Sequence, residues 1–120
     1  MSRRTLERRR AAQERWPTLA NLLICYFNQD FNIVYGSLDG AFAAAVADAP
    51  WEMRRTILRE WRDWQTAEGT NNDDLRRFVN DGFDVAILFK QPIDARHFMN
   101  RIYDDLMASV RAETSKGMEF

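Results

Sequence analysis

The sequence has one cysteine, one histidine and, between Trp16 and Met53, no lysine or arginine. One cysteine cannot close an internal disulfide, and a free thiol at Cys25, inside an apolar run, fits a reducing compartment. One Cys and one His cannot supply the cluster of N and S ligands that zinc requires, so no metal is expected. Neither residue has a catalytic neighbour in sequence, and His97, beside Arg96 and Phe98, reads as a solvated or locally hydrogen-bonded imidazole. The five glycines fall at helix ends, turns or the tail, so there is no phosphate-cradling loop and no cofactor is expected. No apolar run is long enough to span a bilayer, and the basic N-terminus is not followed by a signal-peptide h-region or cleavage site. The expected location is the cytoplasm, with no membrane contact.

The composition is that of a folded domain. Of the 120 residues, 46% are hydrophobic, including eight Phe, four Trp and three Tyr, which excludes a disordered chain and leaves room for one buried core. The near-neutral net charge of −1 hides a division. Residues 1–15 carry six Arg against two Glu, whereas the rest carries 11 basic and 16 acidic groups. From Trp16 to Met53 the only charges are Asp30, Asp39, Asp48 and Glu52. Such a body repels nucleic acid and attracts a basic partner.

Taken in order, residues 1–15 are helix-prone but lack an apolar stripe and read as a flexible basic arm, a frayed helix or disordered, serving as a solvated tail or a phosphate-binding one. Residues 16–112 read as the domain and 113–120 as a loose tail. Pro17 opens a helix over about 17–27, with Leu19, Leu22, Leu23, Tyr26 and Phe27 at helical spacing and Cys25 packed in the core. Asn28-Gln29-Asp30 ends it, and Phe31 to Tyr35 reads as extended or irregular. Ser37 caps a small-residue helix over 38–48. Asp48 is the expected cap of a third helix running to Glu68, with a stripe of Met53, Ile57, Leu58, Trp61 and Trp64. Asn72 is the expected cap of a short helix over 73–80, and Asp94 of a last one over 95–112. The segment 83–90 is apolar but has no strand to pair with, so it reads as extended or irregular and packed over the bundle. The fold class is therefore all-α, a single-domain bundle of about five helices.

Two adjacent carboxylate pairs, Asp73-Asp74 and Asp104-Asp105, do not converge, because neighbours on a helix diverge by about 100°. Trp61 and Trp64 continue an apolar stripe and read as core. Trp51, in a first turn beside Glu52, reads equally as an interface anchor or as a cap over the bundle end.

The block Leu22-Leu23-Ile24-Cys25-Tyr26-Phe27-Asn28-Gln29-Asp30-Phe31 closely resembles the signature of immunity proteins from contact-dependent growth inhibition systems. Weaker matches follow in the same order: Tyr35-Gly36-Ser37-Leu38, Leu58-Arg59-Glu60, the Leu75-to-Asn80 helix ending in Asp81-Gly82-Phe83-Asp84, and a final amphipathic helix. The similarity covers about residues 16–110. Phe31 stands in place of the usual Trp, Phe83 where Cys is frequent, and the basic arm has no counterpart.

The resemblance implies a non-enzymatic, cytoplasmic inhibitor that forms a heterodimer with the C-terminal toxin domain of an exoprotein; such toxins are frequently nucleases, often acting on RNA, and an RNase is the expected partner. A basic nuclease cleft matches the acidic body. The expected toxin-binding residues are Asp30, Asp39, Asp48, Trp51, Glu52, Glu60, Asp63 and Asp84, with no catalytic, cofactor or metal residue. A rival reading is a small nucleic-acid-associated regulator that uses the Arg-rich arm. A small hydrolase would need an Asp, His97 and Cys25 to converge.

Overall fold

A computed structural model describes residues 2–117, with side chains to Thr114. The described residues form six α-helices with two π-helical turns and no strand: α1 Arg3–Arg15, α2 Pro17–Tyr26, α3 Phe31–Tyr35, α4 Leu38–Asp48, α5 Trp51–Trp64 and α6 Pro92–Gly117. The first π turn, Gln65–Gly69, prolongs α5, and the second, Phe78–Gly82, leads into the irregular segment before α6. They share one hydrophobic core, so the protein is an all-α single domain.

Three aromatic rings centre that core. Phe27, Phe42 and Phe98 lie with centroids 4.9 to 5.3 Å apart, tying the end of α2 to α4 and α6. Trp64 and Trp16 each lie 6.1 Å from Phe83, closing the core at the α1 end. The segment after the second π turn has no regular structure and no strand partner among the described residues, in line with the irregular reading of 83–90. Phe83, Val85 and Phe89 are buried, Asn80 Nδ2 donates to the Val85 and Ile87 carbonyls at 2.8 Å, and the Ala86 N–H donates to the Phe27 carbonyl at 2.8 Å. A side-chain amide thus supplies the pairing that a neighbouring strand would give.

Several expectations are corrected. The basic segment is a helix, one of the two forms expected, but it is docked on the second π turn rather than frayed or flexible. Its dock is electrostatic and small-residue: Arg8 pairs with Asp81, Arg9 with Asp84, and Ala12 is buried against Gly82. Phe31–Tyr35 is one helical turn despite Ile33 and Val34, because both its ends are fixed. Asn28 donates to the Ile24 and Cys25 carbonyls and accepts from the Asp30 N–H, while Gly36, at φ 79°, closes the other end. Gly40 is needed for a different reason: a Cβ there would strike the Tyr35 carbonyl oxygen.

Ser37 caps α4 as expected, accepting from the Gly40 N–H at 3.0 Å. Asp48, expected to cap α5, is instead the last residue of α4, and Pro50 occupies the cap position. Asn72 caps nothing either. Its amide donates to the Glu68 carbonyl, while the Asp74 carboxylate accepts from the Arg76 N–H. Arg76 holds the Asp74 carboxyl down at about 2, first through side-chain and then through backbone hydrogen bonds. Asp94, expected as the cap of the last helix, lies inside the first turn of α6, which starts at Pro92, and its carboxylate accepts from the Gln91 N–H at 3.0 Å. That helix reaches Gly117, so the expected tail begins inside it, and its last three residues lie outside the described ones.

Candidate protein-binding surface

The eight candidate residues fall into two groups. Glu60, Asp63 and Asp84 serve the fold. Glu60 Oε1 accepts from the Thr18 and Leu19 N–H groups at 2.9 and 3.0 Å, supplying α2 with the N-terminal carboxylate that Pro17 and Trp16 cannot. Asp63 accepts from Trp16 Nε1 at 2.7 Å and pairs with Arg15. Asp84 has a left-handed backbone, φ 55°, and pairs with Arg9 at 2.9 Å.

The other five are exposed. Asp30 sits at the start of α3 and, like Glu52, has no side-chain partner among the described residues. Asp39, on the first turn of α4, pairs with Arg101 at 2.7 Å. Asp48, Trp51 and Glu52 come together at the α4–α5 corner. There Trp51 is 39% exposed, beneath the Arg55 guanidinium at 5.7 Å.

Beside that corner runs a groove of 160 Å³ between α2 and the start of α5, lined in part by Leu22, Cys25, Tyr26, Asp48, Met53 and Ile57. Tyr26 Oη donates to Asp48 Oδ2 at 3.0 Å. Burial first and this carboxylate second push the phenol up to about 12, so it stays a donor across the physiological range.

Sequence reasoning missed three members of this groove. Cys25 was expected in the core and is exposed on the groove wall, 3.8 Å from Asn21 Oδ1. Met53 was expected at the head of the α5 stripe and is 41% exposed, because the stripe outruns the bundle. Tyr26 was expected to pack inward, yet its hydroxyl reaches out to Asp48. A helical wheel carries the signal for Cys25: with Leu19, Leu23 and Phe27 facing in, residue 25 falls about 160° from Leu23 at 100° per residue. Cys25 and His97 line different grooves, and no His, Cys, Asp and Glu cluster among the described residues could hold a metal.

The family model described as CdiI immunity protein matches residues 15–106, about three quarters of the chain, from the foot of α1 into α6. The chain belongs to the CdiI immunity protein family. No curated protein and no solved structure matches it. Membership in this family implies an inhibitor with a cognate toxin as its partner. The α4–α5 corner, its groove and α3 all lie within the matched span, whereas all but the last residue of α1 lies outside it. No described helix of this immunity protein is long and apolar enough to cross a membrane.

Proposed function

We propose that the protein binds the C-terminal toxin domain of a contact-dependent growth inhibition exoprotein one-to-one in the cytoplasm of the producing cell, without chemistry of its own. The toxin domain, on this reading, is a nuclease acting on RNA. The observation that carries the reading is the segregation of charge. Asp30, Asp39, Asp48 and Glu52 are exposed on a stretch of sequence that contributes no cation, and Trp51 and Met53 are exposed among them. A nuclease cleft is built to hold phosphates and is basic, so an acidic face steers toward it, and an aromatic anchor adds affinity once contact is made.

The regulator reading has less to work with. Arg8, Arg9 and Arg15 pair with Asp81, Asp84 and Asp63, and Arg3 pairs with Glu7 on its own helix.

Reversing Asp39, Asp48 and Glu52 together to Lys tests the surface. Association with the toxin domain should slow at least about tenfold at low ionic strength and lose its salt dependence. A triple variant that stays folded and keeps the wild-type rate and salt slope would remove this surface from the account.

A further inference from the structure

The end of α4 carries an electrostatic conflict. Asp48 is the last residue of the helix, and its last turn holds no basic side chain. Unpaired carbonyls give a helix C-terminus roughly half a negative charge, so a carboxylate there is repelled. Its surroundings answer this only in part. Tyr26 gives Asp48 a neutral hydroxyl, and Arg54 Nε donates to the Ala49 carbonyl at 2.8 Å. Arg55, next along, lies over the Trp51 ring. Asp48 itself forms no ion pair among the described residues.

The adjoining groove supplies the other half of a site. Its volume equals about five water molecules, the scale of one long side chain rather than a helix or strand. Leu22, Met53 and Ile57 give it apolar walls, and the Asp48 carboxylate stands at its edge. An apolar channel ending in a negative charge fits a side chain with an aliphatic stem and a cationic head.

We infer that this groove is a slot for one lysine or arginine of the toxin, its stem along Leu22, Met53 and Ile57 and its head between Asp48 and the last carbonyls of α4. The inference rests on the toxin-binding reading and narrows it to a single point of contact. The incoming cation resolves the conflict at α4, so the free protein holds a small instability that binding removes.

Asp48→Asn separates a binding role from a structural one. The amide oxygen still accepts from Tyr26, and the charge opposing the helix is gone. The melting temperature should hold or rise by about 2 °C, while toxin affinity falls about tenfold. Cys25 is the native reporter: a thiol reagent should label it readily in the free chain and slowly in the complex. In the free chain, N-acetyl-arginine amide and N-acetyl-lysine amide should shift the Met53 methyl and Trp51 indole resonances, and N-acetyl-glutamate amide should not. In Asp48→Asn all three should be silent. A complex that forms with wild-type affinity in Asp48→Asn, or that leaves Cys25 fully reactive, overturns the slot and spares the toxin-binding reading. A folded wild-type chain that forms no complex with the toxin domain overturns both.

Discussion

Carboxylates look alike in a sequence, but a hydrogen-bond partner 40 residues away decides what each one does. Glu60 sits on the exposed-looking flank of α5 and ends on two backbone N–H groups of α2. Glu60→Gln should lower unfolding stability by about 1–2 kcal/mol in urea and leave toxin affinity unchanged. The reverse pattern, intact stability with lost affinity, would return Glu60 to the interface. Tyr26 gives a second check. Its folded pKa, about 12, lies above the ordinary 10, so its contribution to stability is complete below pH 10 and lost as pH rises through 12. Phenolate absorbance should show one tyrosine titrating near 12. In Asp48→Asn that midpoint should fall but stay above 10, because burial is the larger cause.

Helices with a clear apolar stripe were legible in the sequence, and those made by their ends or by charge were not. The boundaries of α2 and α4 and the body of α5 followed from spacing and caps. By contrast, α3 contains the β-branched pair Ile33-Val34 and is helical because Asn28 and Gly36 fix its ends. Its tight approach to α4 predicts that Gly40→Ala costs about 1–3 kcal/mol, read from thermal unfolding, since a methyl there meets a backbone oxygen that cannot swing aside. The docking of α1 was hidden for a different reason. The helix buries a single alanine and is held by Arg8–Asp81 and Arg9–Asp84, pairings between residues more than 70 positions apart. Deleting residues 2–14 uncovers Gly82 and Phe83, so the urea midpoint should drop and tryptophan emission shift red. Neutralisation of the toxin should survive in the folded fraction, whereas a nucleic-acid regulator would lose its ligand.

Across the whole molecule, composition and periodicity were enough for an all-α domain, and the Leu22–Phe31 block was enough for the family that the match over residues 15–106 establishes. The division of the acidic residues was not legible. Burying Trp16 and starting α2 at Pro17 engages Asp63 and Glu60, and docking α1 engages Asp81 and Asp84. Asp30, Asp39, Asp48 and Glu52 stay exposed on the stretch of sequence from α2 to the start of α5 that contributes no cation. The most direct test is to titrate this protein with its cognate toxin domain, by calorimetry, alongside co-expression of the pair in growing cells. A one-to-one complex of nanomolar affinity or tighter and full rescue of growth are expected. A folded protein that neither binds the domain nor protects the cell would contradict the toxin-binding reading.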